Sequence, residues 1–226
     1  MKKPAYLVTC EHGGNQVPAA YSQAFAMAEA DLSSHRGYDP GALSVARALS
    51  RALNSKLCYS ETTRLLIDLN RSLNNPEVWS EYSRGLPADE IMATYYFPYR
   101  NEVESMISEL IASHGRVIHL SIHSFTPVWK GEKRTTDMGI LFDDDRAGET
   151  AYARRWIRTL NKHLNGFQTD LNKPYLGKDD GFTTYLRTKF PDGHYLGIEL
   201  EINQQFAPKI TEMHSRLIAS VLDIDS

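Results

Sequence analysis

The chain has 226 residues, 42% of them hydrophobic and 23% charged, an ordinary soluble balance that can fill one sizeable core. Its 25 basic and 28 acidic residues leave a net charge of −3, which excludes the basic footprint of nucleic-acid binding and favours a small substrate over a polymer. No apolar run approaches the roughly 18 residues of a membrane span, the N-terminus lacks a leader's apolar segment, and Cys10 and Cys58 have no CxxC spacing, so a cytoplasmic protein with reduced thiols is expected.

In chain order, Tyr6–Cys10 reads as a β-prone run ending at a Gly-Gly turn. Ala19–Ala30 and Gly41–Leu53 read as helices, the second with Ala42, Val45, Ala46, Leu49 and Leu53 at helical spacing. Lys56–Ser60 and Arg64–Leu69 are strand candidates. Glu90–Ser113 is expected to be helical, bent or interrupted at Pro98, and to stop at Ser-His-Gly. Arg116–His123 and Met138–Phe142 have strand composition. Glu149–Leu164 and Asp180–Lys189 should be helical, Tyr195–Ile202 a strand and Phe206–Leu222 the closing helix. Strands alternating with helices predict a single α/β domain over 1–226, three-layered, with a mostly parallel sheet covered on both faces. In such sheets, sites form beyond the carboxyl ends of the strands.

Three strand ends carry chemistry. The first delivers Glu11-His12-Gly13-Gly14-Asn15, the middle one His123-Ser124, and the late one Glu199 and Glu201. Two histidines and a carboxylate, with a further Glu as base, match the three-ligand pattern of a catalytic zinc site. The other six histidines, His35, His114, His119, His163, His194 and His214, read as ordinary polar side chains. His119 shares a face with His123, but about 13 Å separates them at ~3.3 Å per residue, too far for one ion. Glu199 and Glu201 alternate with Ile198, Leu200 and Ile202, so both carboxylates face one side. A sheet covered on both faces would not bury them without a cation or a catalytic use. A solvated edge strand is the alternative. Asp68-Leu69-Asn70-Arg71 sets an Asn-Arg pair just past a strand candidate, suited either to gripping a carboxylate or to an Asp–Arg ion pair.

Five segments carry a resemblance: Cys-Glu-His-Gly-Gly-Asn-Gln-Val-Pro at 10–18, His-Arg-Gly-Tyr-Asp-Pro-Gly-Ala at 35–42, Thr-Arg-Leu-Leu-Ile-Asp-Leu-Asn-Arg-Ser at 63–72, His-Leu-Ser-Ile-His-Ser-Phe-Thr-Pro at 119–127, and Gly-Ile-Glu-Leu-Glu-Ile-Asn-Gln at 197–204. In order and over nearly the whole chain, they resemble the N-formylglutamate amidohydrolase family. More distantly, the order is similar to that of zinc carboxypeptidases and zinc-dependent muramoyl-alanine amidases. The resemblance implies a zinc-exopeptidase-like, phosphorylase/hydrolase-like fold. It further implies one divalent metal ion, zinc by analogy, on His12 and His123, with Glu201 as general base and acid.

Carboxypeptidases take a third ligand from a Glu three residues after the first His, and here that residue is Asn15. A neutral amide is a poor zinc ligand. The third position therefore goes to Asp39, which could instead cap the following helix. Asn70 and Arg71, with Arg64, Asn15, Glu199 and Tyr175, are then expected to contact a small acidic N-acyl amino acid such as N-formylglutamate. The alternatives are a carboxypeptidase-like or muramoyl-amino-acid amidase-like enzyme, and a metal-free binding module on the same fold.

Overall fold

The computed structural model describes residues 3–225. Met1, Lys2 and Ser226, which the single-domain reading includes, lie outside the described residues. The strands are β1 (Ala5–Cys10), β2 (Lys56–Tyr59), β3 (Val117–Phe125), β4 (Val128–Trp129), β5 (Glu132–Lys133), β6 (Met138–Leu141), β7 (Thr169–Leu171) and β8 (Tyr195–Asn203). The helices are α1 (Glu29–Leu32), α2 (Ala42–Leu53), α3 (Ala88–Ile91), α4 (Phe97–His114), α5 (Ala147–His163), α6 (Phe182–Lys189) and α7 (His214–Leu222).

Six strands form one sheet in the order β2-β1-β3-β8-β6-β7. The first four are mutually parallel, and β6 and β7, parallel to each other, run against β8. The expected mostly parallel sheet is therefore present. β3 and β8 form its central pair and are buried along their whole length. This removes the edge-strand reading of Glu199 and Glu201.

Period two sorts the side chains of these strands. Val8, Cys10, Ile118, Leu120, Ile122, Ile198 and Leu200 face α2, α5 and α7, where Trp156 and Leu160 complete one core. The opposite face carries Leu7, Val117 and Tyr195 under α4 and α6. It also carries Thr9, His119, Ser121, His123, Glu199 and Glu201, so its apolar layer gives way to a buried polar one. Helices on both faces make the expected three layers.

Several elements differ from the sequence expectation. Arg64–Leu69 is a turn segment, not a strand. Its apolar run is buried as a loop, with Leu65, Leu66, Ile67 and Leu69 in the second core and the Asp68 amide bonded to the Val78 carbonyl. Ala19–Ala30 is mostly a chain of turns, in which successive amides bond three residues back, so only Ala19–Tyr21 and the short α1 are helical. Pro98 does not break its helix: it sits in the first turn of α4, and a π-helical turn at Met92–Tyr96 precedes it. That is where a residue without a backbone donor can be accommodated. Pro208 does divide the closing helix, leaving a 3-10 segment with a non-helical Lys209 before α7.

Candidate metal and active site

The carboxyl ends of β1, β3 and β8 converge on one cavity of about 120 Å³, lined by His12, Asp39, His123, Glu199 and Glu201 among others. His12 follows β1 directly, and His123 lies near the end of β3, in register with Glu201 of β8. The imidazole centroids are 5.2 Å apart. Asp39 precedes α2, whose N-cap is Gly41, and its carboxylate does not cap the helix. Instead Asp39 Oδ2 lies 3.3 Å from His12 Nδ1 and 2.9 Å from His123 Nδ1, and it accepts from the Ser124 amide at 3.3 Å. One ligand atom from each of His12, Asp39 and His123 falls within 4.8 Å of the others. Two imidazole nitrogens and a carboxylate oxygen are donors of the kind that could hold a divalent cation.

The far side of each ring is held by another acid. His12 Nε2 is 2.8 Å from Asp68 Oδ1. His123 Nε2 is 3.2 Å from Glu11 Oε2 and 2.9 Å from Ser121 Oγ. An imidazole in the neutral form that donates its Nε2 proton to these outer acids presents its Nδ1 lone pair to the cavity, the form a bound cation would require. Glu11 is anchored in turn by Tyr99 of α4 at 2.9 Å and by Ser121 at 2.7 Å. Arg64 spans Asp68 and Asp39 through three donors.

The charges agree with this geometry. Burial works to raise the pKa of Asp39, but His12, His123 and Arg64 hold it well below the carboxylate range. Burial works to lower that of His123, yet hydrogen bonds to Asp39 and Glu11 keep it well above the imidazole range. Positive charge is thus favoured between these groups. Glu201 is the reverse case: burial, with Asp39 and Glu199 adding to it, pushes its carboxyl up to about 8. Its buried Oε2 has no hydrogen-bond partner. An orphaned carboxylate oxygen beside a three-donor cluster is the arrangement a cation and its water would complete.

Of the expected substrate contacts, Arg64, Asn70, Arg71, Tyr175 and Glu199 line the same cavity. Arg64 donates to both Asp39 and Asp68, so it braces those two carboxylates as well as lining the cavity. Asn15 is not brought to the cavity: its carboxamide donates to the Leu32 carbonyl at 2.9 Å. Asn70 Oδ1 accepts from the Phe182 amide at 2.6 Å, with Nδ2 3.5 Å from His123 Nε2. Gly13 and Gly14 are small because the segment that follows β2 passes close by, not because the backbone is left-handed. Cβ atoms there would stand 2.9 Å from the Ser60 carbonyl oxygen and 2.7 Å from that of Glu61, and neither φ is positive. Glu11 received no role from the sequence, although alternation along β1 puts it on the His119–His123 face, and Asp68 was read only as an ion-pair partner for an arginine, which it is, with Arg64.

Fold and site together define a class: an α/β protein with a His-Asp-His cluster that could hold a metal ion at its strand ends. The chain belongs to the N-formylglutamate amidohydrolase family, a hydrolase family whose model matches residues 5–207. A gene product of Agrobacterium tumefaciens has a similar structure, with a TM-score of 0.80 and 28% identity over 100% of this chain and 93% of that one. An N-formylglutamate amidohydrolase from Ralstonia eutropha gives a TM-score of 0.72 at 17% identity, over 99% and 94%. A bacteriophage poly-gamma-glutamate hydrolase shares the fold more distantly, at 0.50 and 10% over 98% and 85%. No curated protein matches the chain. Among the described residues no helix is long and apolar enough to cross a membrane.

Proposed function

We propose that this protein is a cytoplasmic metal-dependent amidohydrolase that cleaves the amide of a small N-acyl amino acid, with N-formyl compounds first among the candidates. One observation carries the reading: a His-Asp-His donor cluster and a buried, unpartnered Glu201 oxygen share one cavity. His12, Asp39 and His123 would hold the ion, with zinc the natural match to that donor set. When bound, the ion acidifies water and stabilises negative charge on the acyl oxygen.

Glu201 takes the proton of the attacking water and returns it to the leaving nitrogen. A carboxylate whose surroundings favour the protonated form suits that task. Arg71 and the Asn70 carboxamide hold the α-carboxylate, which fixes the amide relative to Glu201. Tyr175 forms part of the wall.

Glu201→Gln should retain stoichiometric metal while turnover of an N-formyl amino acid falls roughly 10²–10⁴-fold. Undiminished activity in that variant removes Glu201 as the base. Purified wild-type protein without stoichiometric metal points back to a binding module.

A further inference from the structure

Arg134, just past the β4–β5 hairpin, is a cation that forms no ion pair among the described residues. Its guanidinium lies 4.9 Å from the Tyr175 ring centroid and 5.4 Å from that of Trp129. Nη1 donates to the Tyr175 hydroxyl at 3.0 Å. Tyr175 lines the catalytic cavity and Arg134 does not, so the guanidinium backs the phenol. The direction of their hydrogen bond matters. A guanidinium only donates, so the phenol oxygen accepts and its own proton is left over. Among the described residues none accepts that proton. Burial, with Glu201 adding to it, raises the phenol's pKa, so the proton stays in place at neutral pH. A hydroxyl that accepts from a cation is polarised and donates more strongly.

The loop that carries Tyr175 is pressed onto the end of β6. Asn172 Oδ1 accepts from the Phe142 and Gly177 amides at 2.9 and 3.2 Å, and a Cβ on Gly177 would stand 2.2 Å from the Phe142 nitrogen. The free donor is therefore held in place before any ligand arrives. Tyr175 shares with Arg64 and Arg71 the border between the catalytic cavity and a second cleft of about 460 Å³, whose walls add Arg36 and Arg84. The acids of the cavity have partners of their own. Asp39 accepts from Arg64 and belongs to the proposed metal cluster, and Glu199 accepts from the Thr183 hydroxyl with the charge of Arg187 nearby. At the border, Arg64 keeps N–H groups beyond those given to Asp39 and Asp68, and Arg134 adds its charge through the phenol. A second substrate carboxylate finds unspent donors there.

We propose that Tyr175, with Arg134 as its positioning residue, receives the second carboxylate of an N-acyl dicarboxylic amino acid, while Arg71 and Asn70 hold the first; this rests on the amidohydrolase reading above. The test compares kcat/KM for N-formyl-L-glutamate and its near-isostere N-formyl-L-glutamine on the metal-loaded enzyme. The glutamate compound should lead. Tyr175→Phe should shrink that lead roughly tenfold, chiefly through the KM of the glutamate compound. Arg134→Gln should shrink it in the same way, and Arg134→Lys, which keeps the charge, should shrink it less. A wild-type enzyme that treats the two compounds alike overturns this inference and leaves the amidohydrolase reading standing. So does a loss that falls equally on both compounds in Tyr175→Phe and Arg134→Gln, the mark of a merely structural pair. A panel in which neither compound is hydrolysed takes down the amidohydrolase reading and this inference together. The Tyr175→Phe comparison stands even if the Arg134 variants fail to fold.

Discussion

At His123 the chemistry turns on which ring nitrogen is left free. Glu11 and Ser121 occupy the Nε2 side, so Nδ1 faces Asp39 and the cavity. At His12 the Asp68 carboxylate does the same. Such partners fix the tautomer and orientation of a ligating imidazole and raise its basicity. Glu11→Gln and Asp68→Asn should therefore weaken metal binding 10–100-fold, measured by competition with a chromophoric chelator. Equal affinities in wild type and variants would show the outer carboxylates to be structural only. Loss of the Glu11 charge also leaves the Tyr99 hydroxyl with a neutral partner in a buried place, so some loss of apoprotein stability should accompany the change.

Among elements, those whose pattern reports burial on one face were legible in the sequence. α2, β3, α5 and β8 sit within a few residues of where periodicity puts them, because each is held by an apolar stripe against the sheet. The Arg64–Leu69 segment was not legible. A short run of leucine and isoleucine signals burial, and a buried loop satisfies that signal as well as a strand does. At the site, strand ends and alternation pointed to His12, His123, Glu199 and Glu201. They could not show that Arg64 pairs with both Asp39 and Asp68, since that pairing depends on how the loop folds back.

The same loop carries Asn70 and Arg71, and the helices moor it from outside. The Tyr96 hydroxyl donates to the Arg71 carbonyl at 2.7 Å. Arg100 of α4 lies over the rings of Tyr96, Phe182 and Tyr185 and donates to the Leu69 carbonyl at 2.9 Å. Tyr96→Phe removes one such hydrogen bond, about 1 kcal/mol. It should raise KM roughly fivefold with a smaller effect on kcat, as seen in Michaelis parameters for the best substrate. A drop confined to kcat would mean that the mooring serves the reacting groups and not the carboxylate grip.

For the molecule as a whole, the buried polar layer has a stability consequence that His119 isolates. This imidazole is wholly buried between Thr9 Oγ1 and the Tyr195 hydroxyl, each at 2.8 Å. Burial, aided by Arg187 and His123 and opposed by Glu11, pushes its pKa down to about 4. In the unfolded chain it titrates near 6.5. Between those values the unfolded state binds a proton that the native state refuses, so stability falls as pH drops from about 6.5 to about 4, and the contribution is fully present above 6.5. The depressed carboxyls of Glu11, Asp39 and Asp68 lose their contribution only as pH falls below their unfolded values near 4, so the upper window is largely free of them. Urea unfolding of chelator-treated protein at pH 7 and pH 4.5 should thus show wild type losing about 2 kcal/mol more than His119→Gln. Glutamine keeps hydrogen-bonding groups for Thr9 and Tyr195 but has no proton to gain. Parallel losses in the two proteins would mean that His119 is protonated in the folded state and that acid instability originates elsewhere in the polar layer.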